Sequence, residues 1–66
     1  MRVILHIKEI RLKKKLTLKD LSVLTGISTS HINDIENNYK IPSLLITILL
    51  ANALKVDIKE IFEVKW

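Results

Sequence analysis

Cysteine is missing from this 66-residue chain, and glycine and proline occur once each. Without cysteine there are no disulfides and no thiolate zinc sites to add stability. The two histidines, His6 and His31, lack the spacing of a metal motif, so neither metal nor cofactor is expected. A lone glycine cannot build a phosphate-cradling glycine loop. Long apolar runs are lacking too. The stretch from Ile41 to Leu54 is too short to span a bilayer and carries Asn52, so no membrane role is expected. A short apolar run near the N-terminus is not followed by a small-residue cleavage site, and a cytoplasmic location is expected. The length predicts one domain over residues 1–66, close to the lower limit at which a core holds unaided. Stability must come from an apolar core, from a partner, or from both.

The stretch from Thr17 to Asn37 carries the strongest signal. Thr17 is a good helix N-cap, and Asp20 stands where a capping box wants an acid. Leu16 and Leu21 occupy the positions of a hydrophobic staple around that cap. Gly26 falls where a helix must stop and the backbone needs a positive φ. Ser28 then caps a new helix, with Ile27 and Ile32 repeating the staple. Helix, glycine turn and second helix within about twenty residues form a helix-turn-helix, which sets its second helix in the DNA major groove.

Charge is one-sided. Residues 1–40 hold eight Lys/Arg against four Asp/Glu, whereas residues 41–66 hold three of each. The whole excess of +4 thus lies in the half that carries the motif. Such a field suits a phosphate-binding surface, because neutralised phosphates release counterions. The run Arg11 to Lys15, taken alone, reads as a solvated helix end rather than a phosphate-binding patch.

Hydrophobic periodicity predicts five helices. Helix 1 is expected over His6–Lys14, with Ile7 and Ile10 on one face and Arg11 beside them. Helix 2 covers Leu18–Thr25 and is expected to bury Leu21 and Leu24; helix 3 covers Thr29–Asn37 and buries Ile32 and Ile35. Asn38 suits a left-handed position. Pro42 blocks helix continuation, and Ser43 caps helix 4, Leu44–Leu54. Asp57 and Glu60 form a second capping box, stapled by Val56 and Ile61, that opens a short helix 5. The ends, Arg2–Leu5 and Phe62–Trp66, are β-prone and can pair as a small antiparallel ribbon.

Stepping 100° per residue along helix 3 leaves Ser30, Asn33, Asp34 and Asn37 pointing away from Ile32 and Ile35. Thr29 and His31 lie on the flanks, Thr29 in the turn that meets base edges in such motifs. An ordinary solvated helix face would look similar. The glycine turn and the charge asymmetry favour DNA.

These residues give the chain a specific resemblance. It is similar to the Cro and phage-repressor (XRE) family of helix-turn-helix proteins. The matches are Ile7 to Arg11, Leu16-Thr17 with Leu21, Gly26 to Ser28, Ile32, Ile35 to Asn37, Pro42 to Leu44, Ala51 with Ala53-Leu54, and Ile61-Phe62. The resemblance implies an all-α, five-helix, lambda-repressor-like fold, with the helix-turn-helix at about 17–37. It implies that Thr29, Ser30, Asn33 and Asp34 face base edges. Thr17, Lys19, Ser28, His31, Asn37, Asn38, Tyr39 and Lys40 would meet the DNA backbone. It further implies a structural ion pair between Arg11 and Glu36. Two positions depart from the family. Leu18 replaces a common Gln, which removes a phosphate contact, and Asp34 stands where many members carry Arg or Gln. A carboxylate there repels phosphate, and its useful partner is the cytosine amino group. Asp34 is therefore expected to act by rejecting wrong sequences.

Helix 4 is apolar all round, as expected of a helix buried all round. Leu44, Thr47, Ile48, Ala51 and Leu54 are expected to join the core. Leu45, Ile46, Leu49 and Ala53, with Trp66 at the chain end, are expected to form a homodimer interface within a dimerisation surface at about 41–66. Catalysis is not expected: there is no nucleophile with a matched base, and a His31–Asp34 dyad would sit where DNA is read. No small-molecule ligand is evident. The reading is a dimeric regulator of double-stranded DNA, a repressor by expectation. The alternative is an antitoxin-type interaction module on the same fold. Such modules often carry an added tail, and a chain ending soon after helix 5 favours the regulator.

Overall fold

Short polar side chains set where each helix begins. In the computed structural model, which describes all residues from Met1 to Trp66, Thr17, Ser28, Ser43 and Asp57 are N-caps in extended conformation. Thr17 Oγ1 accepts from the Asp20 N–H at 3.0 Å, and the Asp20 carboxylate accepts from the Thr17 N–H at 2.8 Å. Ser28 and Ser43 accept from the N–H groups of His31 and Ile46. The Asp57 N–H donates to Glu60 at 2.9 Å. The resulting order is β1 (Arg2–Leu5), α1 (Ile7–Lys13), α2 (Leu18–Thr25), α3 (Thr29–Glu36), α4 (Leu44–Leu54), α5 (Ile58–Ile61) and β2 (Phe62–Lys65).

Helix ends use the left-handed region. Gly26 closes α2 at φ 77°, and Asn38 follows α3 at φ 62°. Behind α3 the Asn38 and Tyr39 N–H groups return to the carbonyls of Ile35 and Asp34, the double closure of a Schellman motif. Lys15 and Lys55 end α1 and α4 in the same way, both at φ 58°. Nothing in their side chains signals this, since lysine carries the full steric cost of that conformation.

One core unites the helices. Ile7, Leu21, Ile27, Ile32, Ile35, Leu50, Ala51, Leu54 and Ile61 are buried together. The chain ends pair antiparallel, Val3 opposite Val64 and Leu5 opposite Phe62, so the ribbon carries one apolar face. No helix is long and apolar enough to cross a membrane.

Several expectations are corrected. Helices α1 and α3 are shorter than expected, since His6, Lys14 and Asn37 flank them, and Trp66 lies outside β2. Leu24 is 59% exposed instead of buried. The inward line of α2 runs through Leu18, Leu21 and Thr25, and Ile27 from the turn fills the space beside them. In α4, Leu44 is 71% exposed and Ile48 also faces outward, while Leu50, not expected in the core, is fully buried. Ile46, Leu49 and Ala53 are half-buried against the core rather than turned away from it. A helix with apolar residues at almost every position does not reveal its phase. Here the phase is marked by Thr47, buried with its hydroxyl donating to the Ser43 carbonyl at 2.8 Å.

Candidate nucleic-acid interface

The frame of the site is an ion pair. The Arg11 guanidinium meets the Glu36 carboxylate through two bonds, Nε to Oε2 at 2.7 Å and Nη2 to Oε1 at 3.0 Å. Its Nη1 donates to the Leu16 carbonyl at 2.9 Å. One side chain of α1 thereby fixes the end of α3 and the turn entering α2. Both side chains are almost wholly buried. The bonds from Glu36 raise the Arg11 pKa above its ordinary value against the opposing cost of burial. A bidentate pair of this kind holds direction as well as distance. No buried side-chain polar atom is left without a partner.

The turn between α2 and α3 is satisfied locally. The Thr25 hydroxyl donates to the Leu21 carbonyl and accepts from the Ile27 N–H. With Gly26 left-handed and Ile27 driven into the core, α3 leaves the turn with Ile32 and Ile35 inward. Its other side is therefore obliged to face solvent.

On that side, Thr29, Ser30 and Asn33 are exposed, and Asp34 is half-buried. Ser28 and His31 are tied to the helix start, where the Ser28 hydroxyl accepts from the His31 N–H. Asn37 Nδ2 donates to Asn33 Oδ1 at 3.2 Å and to the Asn33 carbonyl at 3.0 Å. The Asn33 amide is thus oriented while its own NH2 remains free to donate. Asn38, Tyr39 and Lys40 continue this surface into the turn beyond α3, all exposed. Thr17 and Lys19 are exposed at the start of α2. The capping box engages the Thr17 N–H, leaving the Thr17 hydroxyl proton and the next amides as donors. Bonds from Thr17 also hold the Asp20 pKa below its ordinary value, backbone first and side chain second.

Two features escape sequence reasoning. Lys40 Nζ lies 3.5 Å from Asp34 Oδ2, so the carboxylate on the outward side of α3 is paired. Arg2 shares a hollow with Asn38 and Lys40, because the ribbon brings the N-terminus beside the turn after α3. No local pattern could have placed residue 2 beside residues 38–40. Of the residues expected at a dimer interface, only Leu45 and Trp66 are exposed, and no cluster of His, Asp or Glu could hold a metal ion.

Comparison with known proteins agrees with this geometry. The restriction-modification controller protein C.AhdI from Aeromonas hydrophila superposes with a TM-score of 0.81 at 29% identity, over 83% of each chain. A candidate DNA-binding protein from Bacteroides fragilis superposes with a TM-score of 0.86 at 26% identity, over 94% of this chain and all of the other. No curated protein sequence matches the chain. Residues 7–61 match the profile of a family described as helix-turn-helix. That match spans most of the sequence, and the chain belongs to the XRE-type helix-turn-helix family of DNA-binding regulators.

Proposed function

We propose that this chain is a sequence-specific transcriptional repressor that binds a near-palindromic DNA operator as a homodimer. The observation that carries the proposal is the fixed presentation of α3. Three small polar side chains, Thr29, Ser30 and Asn33, face solvent on a helix held from behind by Arg11–Glu36. Asn33 suits an adenine, whose N6 donates and N7 accepts. Thr29 and Ser30 accept or donate, and the Asp34 carboxylate, an acceptor only, suits the cytosine N4 amino group. Thr17, Lys19, Ser28, His31 and the turn from Asn37 to Lys40 position α3 through phosphates, and Arg2 joins them. Phosphate contacts fix register, while base contacts specify. Nothing in this reading calls for catalysis or a cofactor.

A weakly charged reading face needs a second copy. The dimer surface is centred on Leu45 and widened by Leu44 and Ile48, which the sequence assigned to the core. Ile41, 95% exposed, and Trp66 extend it toward the ribbon. Exposed aliphatic surface of this extent marks an interaction site, and it adjoins the turn after α3. A two-fold axis there would set two α3 helices about 34 Å apart, on successive major grooves. The description of a solved neighbour as a restriction-modification controller supports the regulator over the antitoxin reading.

Selection of bound duplexes from random DNA tests the proposal. Enrichment of an inverted repeat with half-sites about one helical turn apart is expected. Enrichment of single half-sites would remove the dimer, and no enrichment at low salt would remove the regulator.

A further inference from the structure

Helix α4 has two apolar flanks, and the dimer surface uses one. Stepping 100° per residue, Leu44 and Ile48 lie to one side of the buried line through Thr47, Leu50 and Leu54. Leu49 and Ala53 lie to the other. With Leu16 and Leu24 they floor a groove of about 540 Å³ between α2 and α4. Through Leu16 and Leu24 the groove runs on into a second hollow beside Val23, which is 77% exposed. Intramolecular packing leaves this strip of apolar surface open.

Its charge is of one sign. Lys14, at the end of α1, and Lys55, at the end of α4, stand in the lining, and no carboxylate does. Neither lysine is ion-paired. The adjoining hollow holds one acid, Asp20, engaged in the capping box by the Thr17 N–H, and one further cation, Lys19. An apolar trough between two helices suits the apolar face of a third, anchored at i, i+3 or i+4, and i+7. Unpaired cations at the rim favour carboxylates along the flanks of that helix.

We infer that the groove between α2 and α4 docks an acidic amphipathic helix of a partner protein. The groove itself includes none of the residues assigned to DNA and lies on the flank of α4 away from Leu44 and Ile48; only the adjoining hollow shares one of them, Lys19, at its edge. A partner can therefore bind while α3 occupies the major groove, which lets an operator-bound chain recruit a second protein. The inference does not depend on the DNA reading.

The probe is a fluorescent peptide of about 18 residues, long enough to form helix, with leucines at i, i+4 and i+7 and glutamates on both flanks. Its controls are a scrambled peptide and one with lysines in place of the glutamates. Titration against the full chain is followed by fluorescence anisotropy, and the site by amide chemical shifts. The acidic peptide should bind about tenfold or more tightly than either control. Shifts should centre on Leu16, Val23, Leu24, Leu49 and Ala53. Leu24→Glu should weaken the peptide about tenfold and leave affinity for a random-sequence duplex unchanged. Val23→Glu gives the same readout should circular dichroism show that Leu24→Glu unfolds the chain. Lys14→Glu with Lys55→Glu should reverse the preference between acidic and basic peptides. Equal binding of the scrambled peptide, or shifts elsewhere, overturns the inference. A change of oligomeric state in Leu24→Glu would assign the groove to a second copy. Weakened DNA binding by the double lysine variant would assign its rim to phosphate, and either result overturns it.

Discussion

The Asp34 carboxylate lies 3.5 Å from the Lys40 ammonium, across the turn that leaves α3. Both side chains are substantially exposed, so the pair adds little stability, on the order of 0–1 kcal/mol. Its consequence is functional. In the proposed DNA complex, the pair would mask the anion on α3 and withhold a cation from the phosphates, at a cost small enough for DNA to reverse.

Asp34→Asn removes the anion and frees Lys40 together. Affinity for random-sequence duplex should rise, and the slope of log K against log salt should steepen by about one charge. Titrations at several salt concentrations measure both quantities. An unchanged slope would show that Lys40 stays away from phosphate.

The Arg11–Glu36 pair should behave differently, because it is buried. Glu36→Ala leaves an uncompensated guanidinium in the interior and should cost about 3–5 kcal/mol, enough to unfold much of so small a chain. Arg11→Met combined with Glu36→Leu removes both charges and should recover most of that loss. Urea unfolding of the three proteins checks this. The frame then specifies the direction of α3 more than it stabilises the fold.

His6 joins α1 to β2. Its Nδ1 lies 3.0 Å from Glu9 and its Nε2 3.1 Å from Glu63, an arrangement complete only in the imidazolium form. The hydrogen bonds to Glu9 and then Glu63 raise its pKa above 6.5. The stabilisation is therefore fully present below pH 6.5 and lost as pH rises through the raised folded value. Asp20 runs the other way, stabilising above its unfolded pKa of 3.8 and failing as pH falls through its lowered folded value. Melting temperature should peak between these limits, and His6→Gln should flatten the alkaline side alone.

Lys15 closes α1 with a positive φ that glycine adopts freely. Lys15→Gly should stabilise the chain by up to about 1 kcal/mol, the strain relieved exceeding the added freedom of the unfolded chain. Gly26→Ala should cost about as much: an added Cβ meets nothing within 4 Å, so only φ is at stake. Thermal melts of the two variants should shift in opposite directions.

What the sequence made legible was whatever rests on local chemistry. Thr17, Ser28, Ser43 and Asp57 announced the helix starts, and Gly26 and Asn38 two of the ends. Lys15 and Lys55 gave no warning, because the closing bonds are made by backbone groups that any residue carries. The phase of α4 was hidden by its composition, which placed Leu44 and Ile48 in the core and left Leu50 out. At the site, the outward side of α3 followed from Ile32 and Ile35 alone. The Asp34–Lys40 pair and the approach of Arg2 did not, since both depend on how distant segments meet.

Base reading by the exposed polar side chains of α3 is measured by the affinity of the wild-type chain and Asn33→Ala for every single-base-pair change in the selected operator. Asn33→Ala should lose discrimination of about 1–3 kcal/mol at one base pair per half-site and keep it elsewhere. Lys40→Ala, in the same assay, should weaken all sequences alike. An Asn33→Ala protein that discriminates as the wild type does, or that weakens uniformly at every position, would contradict base reading by α3.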